Sequence, residues 1–230
     1  VTDLVAAAGE VGWSVVSGGA LGIDAAAHQA ALEHGVPQLA VLPCGSDNPY
    51  PPRNRPLFER IVAAPGSGVL YAQPRGRTPT RSMFASRNRI IVGMAAALVV
   101  VEAEPRSGSI GTGRLGLAMG TPSAVMAGSR GCAALAAAGA TRFPADLEGA
   151  SLRRATRAWL EAVVGGRHVV PARPRWPQGS SWLHDRIEAA GARGLTVDDL
   201  PDRLAGIVAL TEAETMGLVQ EIAPGRYVLA

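Results

Sequence analysis

Short β-branched runs alternate with alanine-rich stretches of helical period from the first residues to about residue 150. Strands separated by whole helices pair in parallel through crossovers, because a tight turn can only bring them back antiparallel. The pattern therefore predicts an α/β fold, a Rossmann-like doubly wound and mostly parallel sheet with helices on both faces. The expected strands are residues 13–16, 38–42, 68–71, 97–101 and 123–126. The expected helices are 2–10, 23–33, 57–63, 86–96, 111–119 and 130–138. Strand 97–101 is apolar on both faces and is expected at the centre of the sheet. The chain opens on a helical pattern, whereas a doubly wound sheet normally begins with a strand, so a first βα unit is expected to be absent.

The second part of the chain changes character. Residues 151–180 hold six arginines, one acid and a proline-rich run at 169–177, which reads as an extended linker. From residue 181 helical patterns resume, at 181–191, from Thr196 with Asp199 three residues on, and at 210–219. A hairpin pattern closes the chain at 218–222 and 226–229, around Pro224 and Gly225. Three short helices and a hairpin predict a small winged-helix domain over 181–230, after a Rossmann-like core over 1–150 and the 151–180 linker.

Composition narrows the function classes. With 230 residues, 47% hydrophobic and 18% charged, the chain can bury a sizeable core and is not a disordered one. Its apolar runs stop short of the roughly 20 residues that a membrane helix needs, and no leader pattern opens it, so a soluble cytoplasmic protein is expected. Cys44 and Cys132 show no ligand spacing; both are expected to be buried, with no metal and no cofactor.

Charge is uneven. All 22 cations are arginine, and eight of them (Arg53, Arg55, Arg60, Arg75, Arg77, Arg81, Arg87, Arg89) face one acid, Glu59, between residues 53 and 89. That stretch carries +7 and the rest of the chain −4. A basic segment in an otherwise acidic protein points to a polyphosphate backbone as partner. Residues 181–230 hold four arginines against eight acids, which argues against duplex binding by a recognition helix and for protein contact or docking on the linker's arginines.

Three constellations carry the chemistry. The turn SGGALGID (Ser17, Gly18, Gly19 to Asp24) follows a strand and opens a helix, so its glycines let backbone approach a ligand and its free N–H groups attract an anion. Ser107, Gly108 and Ser109 form a second such loop after strand 97–101, and ligands bind at the carboxyl ends of parallel strands. Arg81, Phe84, Arg87, Asn88 and Arg89 combine an aromatic that can stack an unpaired base, or serve the core, with cations for phosphates. Asn88 either reads a base edge or caps the turn. His28 reads as a buried, hydrogen-bonded histidine, because no nucleophile accompanies it. Glu102 and Glu104 read as orienting loop amides or Arg106 in preference to a metal.

These strings resemble the DprA (Smf) family of DNA-processing proteins. The match runs through SGGALGIDAAAH (17–28), VLPCG and YPPRN (41–54), RNRIIVG (87–93), VVVEAEPRSGS (99–109) and AGSRGCAAL with GA (127–140), in the family's order. The resemblance implies a Rossmann-like core without catalytic turnover that binds single-stranded DNA, forms a homodimer and protects incoming DNA. It further implies help in loading the RecA recombinase in natural transformation and recombination. Its DNA pocket falls on Ser17, Gly18, Gly19, Arg81, Phe84, Arg87, Asn88, Arg89, Ser107, Gly108 and Ser109. The chain departs from the family at Leu21, where Arg is usual, and at Ala85, Gly113 and Ala127, and it lacks the family's first Gly-Ser-Arg loop and helical N-terminal domain. The weakly charged, alanine-rich stretch 111–140 is a candidate dimer face.

The rival from another class is a nucleotide phosphoribohydrolase-like enzyme on a similar fold. SGSIGTGRLG (107–116) imitates the first half of its PGGxGT loop, yet Gly113, Arg114, Leu115 and Gly116 follow Thr112 where the enzyme needs a glutamate. A dinucleotide fold would need a GxGxxG turn with an acid about 20 residues on, and none is present.

Overall fold

The computed structural model describes residues 1–165, 181–215, 218–223 and 226–229. Six short strands, β1 (Val15–Ser17), β2 (Gln38–Leu42), β3 (Gly68–Tyr71), β4 (Leu98–Val100), β5 (Ser123–Met126) and β6 (Thr141–Phe143), pair in parallel throughout. They alternate with helices α1 (Thr2–Glu10), α2 (Ile23–Glu33), α3 (Arg55–Ala63), α4 (Arg81–Met94), α5 (Gly108–Ala118) and α6 (Arg130–Ala137), followed by α7 (Gly149–Val164). The class is α/β, as the alternation requires.

The strands form two three-stranded sheets, ordered β1-β2-β3 and β4-β5-β6, and among the described residues no ladder joins them. Helices cover both faces of each. On the first sheet, Ala40, Leu42, Val69 and Tyr71 pack against Phe58 and Ile61 of α3, while α4 lies against β1 and β2. On the second, Val100 and Val125 meet Ile110 of α5 and Leu135 of α6, and Ala124 and Phe143 meet Leu4 of α1 and Trp159 of α7. Contacts of α1 with α2 and of α4 with α5 hold the two halves together. β4, expected at the centre, is an edge strand of its sheet. Its double-sided apolarity reports two covering layers, since Leu98 and Val100 face α5 and α6 while Val99 faces the α1 and α7 cluster.

The extended linker expected from residue 151 is helical in its first half. α7 starts on a capping box: the Glu148 backbone N–H donates to Ser151 Oγ at 3.3 Å, and that hydroxyl donates to Glu148 O at 2.7 Å. Leu152, Thr156, Trp159 and Leu160 then fall on one buried face, and Arg153 and Arg157 pair with Asp3, Glu10 and Glu161 at 3.2–3.7 Å. Averaging this helix with the prolines beyond it hid its period. The proline-rich run, 169–177, lies outside the described residues.

The C-terminal part holds α8 (Ser181–Ala190), β7 (Leu195–Thr196), α9 (Arg203–Thr215), β8 (Val219–Ala223) and β9 (Arg226–Leu229), with an antiparallel sheet ordered β7-β9-β8. Leu183, Ile187, Leu195, Leu210 and Val219 are its core. The helix expected from Thr196 is a single 3-10 turn, Val197–Asp199, closed by the Asp199 carboxylate on the Thr196 N–H and hydroxyl. The next helix begins at Arg203 rather than Leu210, because Asp202 accepts the Ala205 N–H at 3.0 Å and so caps it early. Among the described residues no helix is long and apolar enough to cross a membrane.

Candidate nucleic-acid interface

The glycine turn after β1 is not an open cradle. Gly18 and Gly19 are buried, and protein groups take their carbonyls: Arg87 Nη1 donates to Gly18 O, and Asn54 Nδ2 donates to Gly19 O at 2.9 Å and Ala20 O at 3.3 Å. A Cβ at Gly18 would land on the Arg87 guanidinium, and one at Gly19, where φ is +66°, would sit 2.8 Å from Leu42 and Phe58. These glycines make room for side chains of the protein, which occupy the carbonyl side of the turn. Ala20 N–H donates to Asp24 Oδ2 at 3.2 Å, which uses one of the turn's free amides. Leu21 is the exposed tip, at 57%.

α4 begins at Arg81, five residues earlier than expected, and this changes the geometry of the third constellation. On a helix Arg81, Phe84 and Asn88 share a face, with Arg87 beside them. Asn88 is half-buried in mid-helix, so the capping role considered for it does not hold; Thr80 occupies the N-cap position. Phe84 is half-buried and meets Tyr50 edge-on, with ring centroids 5.8 Å apart. The Arg87 guanidinium lies 5.9 Å from the centroid of the Phe84 ring. Tyr50 is 42% exposed. Sequence reasoning had Tyr50 only inside a motif string; what identifies it is its contact across 34 residues.

The loop that carries Tyr50 is tied to the loop before α4. Gly76 N–H donates to both oxygens of Asp47 at 2.9 Å, and Gly45 N–H to Arg77 O at 3.3 Å. The Gly76 amide, first among the causes, holds the Asp47 carboxyl below its ordinary value. Arg75 and Arg77 are exposed on the loop before α4, Arg53 on the 3-10 turn after the Tyr50 loop, Arg55 at the start of α3, and Arg81 on the first turn of α4. Arg55 is steadied by Asn48 at 3.3 Å.

Three of the eight arginines stand apart. Arg60 turns away to Gln29 of α2 at 2.8 Å, Arg87 is only 4% exposed, and half-buried Arg89 offsets part of the burial that raises the Glu214 carboxyl of α9. The basic stretch is therefore not one continuous surface, because α3 and α4 each distribute their arginines around a helix. Arg153 and Arg157, two of the six arginines expected to meet the acidic C-terminal part, pair with Asp3 and Glu10 of α1 and with Glu161 of their own helix.

Ser107 proves to be the N-cap of α5 rather than a loop residue. Its Oγ accepts from Ile110 N–H at 3.4 Å and Glu104 N–H at 3.2 Å and donates to Glu104 O at 2.9 Å, so the Glu104 backbone, not its carboxylate, holds this turn. Gly108 and Ser109 are exposed in the first turn. Ser129 caps α6 in the same way. Gly113 and Gly116 lie inside α5, where a Cβ would run into Leu135 and Leu98, so the stretch imitating the enzyme's loop is a packed helix. His28 is fully buried with Nδ1 2.7 Å from Gln38 Oε1, as its sequence context indicated, and both cysteines are buried and free.

The family model for DNA recombination-mediator protein A matches residues 1–149, the whole of the two parallel sheets and their loops. The chain belongs to that family. A Synechocystis relative, Protein Smf, is 48% identical over 104 residues, covering 45% of this chain and 25% of that protein. The X-ray structure of DNA processing protein A from Streptococcus pneumoniae superposes with a TM-score of 0.56 at 35% identity, covering 62% of this chain and 52% of that one. The Helicobacter pylori protein, whose structure describes a single-stranded DNA binding mode, superposes at 0.59 with 24% identity, covering 70% of this chain and 72% of that one. The chain thus spans about a quarter of the length of its Synechocystis relative.

Proposed function

We propose that this chain binds single-stranded DNA at the carboxyl ends of β1 and β2, as part of a protein that processes DNA in recombination and transformation. The observation that carries the reading is the Phe84 and Tyr50 ring pair flanked by exposed Arg53, Arg55, Arg75, Arg77 and Arg81. A ring offers a sequence-tolerant surface for a base, and the guanidinium groups neutralise the phosphates on either side. Gly108 and Ser109 extend the site across the first turn of α5, where backbone N–H groups favour an anion. Duplex DNA stacks its bases internally and offers nothing to the rings, so preference for a single strand is expected.

The finer reading follows the family. Residues 1–150 form a Rossmann-like core, 151–180 the connection and 181–230 a winged-helix module; the protein acts as a homodimer, protects incoming strands and helps load a RecA recombinase, without catalysis of its own. What supports the reading against the phosphoribohydrolase rival is the run Gly113, Arg114, Leu115, Gly116 after Thr112, which carries no glutamate.

Titration with oligo-dT against a duplex of the same length, across a range of salt, tests the main proposal. The single strand binds tighter, and Arg81→Ala lowers the salt slope by about one charge. Equal affinity for both forms would overturn it.

A further inference from the structure

The β1–β2 ladder runs through Val15↔Gln38, Val16↔Leu39 and Ser17↔Ala40, and the next pair in that register is Gly18 and Val41. There the strands part, and a side chain from α4 fills the wedge. Arg87 Nη1 donates to Gly18 O and, at 2.6 Å, to Val41 O, so one nitrogen satisfies both carbonyls at the point where the ladder ends. The guanidinium is buried, Gly18 has no side chain to displace it, and Phe84 sits one turn earlier on the same helix with its ring beside it. Its Nε is also buried, without a hydrogen-bond partner. A cation enclosed in this way is spent on the fold of the turn. Nη1 is committed to both carbonyls, so a guanidinium that swung out onto a phosphate would leave two buried acceptors unpaired.

We propose that Arg87 is a positioning residue for the single-strand site, acting through Phe84 and the Ser17–Gly19 turn and making no phosphate contact. The inference rests on the single-strand reading above. It separates the arginines of one short stretch into two kinds. Arg81 lends charge to the strand, whereas Arg87 sets where the ring and the glycine turn stand. It also assigns Gly18 a purpose: the glycine is the space in which the guanidinium lies.

The test uses the full chain, oligo-dT and an abasic oligonucleotide of equal length, across a range of salt, with thermal unfolding of every variant. Arg87→Ala weakens binding of oligo-dT roughly 5- to 150-fold, the range of one lost base-stacking contact, and leaves binding of the abasic strand and the salt slope as in the wild type. Gly18→Ala keeps the charge of Arg87 but places a Cβ on its guanidinium, and it reproduces the same pattern. Arg87→Lys keeps a donor for both carbonyls without a planar face, so it serves as the readable variant if Arg87→Ala does not fold: it loses affinity for oligo-dT alone. A salt slope lowered by about one in Arg87→Ala, wild-type binding in Gly18→Ala, or equal losses on base-bearing and abasic strands would each overturn the proposal. Failure of Phe84→Ala and Arg81→Ala to affect oligo-dT would instead overturn the single-strand reading itself.

Discussion

Replacing Phe84 with Ala removes a ring that touches Tyr50 edge-on at 5.8 Å and Arg87 at 5.9 Å. The ring pair is worth about 0.5–1.5 kcal/mol, but it is present in the free and the bound protein and so largely cancels from the binding free energy. What remains is the base that stacks on Phe84, worth about 1–3 kcal/mol. Tyr50 is exposed and stays behind as a second aromatic surface, which places the expected loss in the lower half of that range, about 1–2 kcal/mol or roughly 5- to 30-fold in Kd. Fluorescence anisotropy with labelled oligo-dT measures it, and the abasic strand serves as the internal control because it has phosphates and no bases. Phe84→Ala weakens the first and leaves the second unchanged, with the same salt slope on both. Phe84→Tyr keeps the ring and stays near wild type. A Phe84→Ala loss of the same size on both strands would refute the stacking argument, since the effect would then come from displaced arginines.

Asn54→Ala strips two carbonyls of the glycine turn of their donor and lowers stability by about 1–3 kcal/mol in urea unfolding, the cost of leaving buried acceptors unpaired; a midpoint equal to wild type would show that water replaces the amide freely. Burial holds His28 below its ordinary value of 6.5, with Gln38, Asp24 and the Ser17 backbone opposing only in part. The unfolded chain therefore binds a proton that the folded chain refuses, and stability rises with pH up to about 6.5 and is lost as the pH falls below it. Urea midpoints measured across that window should show this slope, and His28→Gln should flatten it; an unchanged slope would place its origin elsewhere. A chain ending at Gly179 lacks a segment of net charge −4 and is expected to bind oligo-dT within about threefold of the whole, less than 1 kcal/mol, and a tenfold loss by the same titration would show that the C-terminal part contributes to the site.

Legibility divided along a physical line. Local sequence carried the elements whose period is long enough to see: α1, α2, β2, β3 and β5 fall at the residues expected, and the burial of His28, Cys44 and Cys132 followed from their apolar surroundings and the want of a ligand pattern. It also carried the family, through the order of the strings SGGALGID, RNRIIVG and AGSRGC along residues 1–149. It failed where a signal was too short or was averaged away, as for β6 with three residues and for α7 beside a proline-rich run.

Tertiary structure decided what each polar group does. Arginines 81 and 87 look alike in the sequence, yet their places on α4 leave one exposed and bury the other against Gly18 and Val41. Tyr50 joins Phe84 only because the loops of residues 43–50 and 73–79 are clamped together through Asp47 and Gly76. Ser107 caps a helix rather than lining a loop. Double-sided apolarity of β4 was readable, but its place at a sheet edge was not, because hydropathy records what covers a strand above and below, while lateral order is set by hydrogen bonds that every residue's backbone can make.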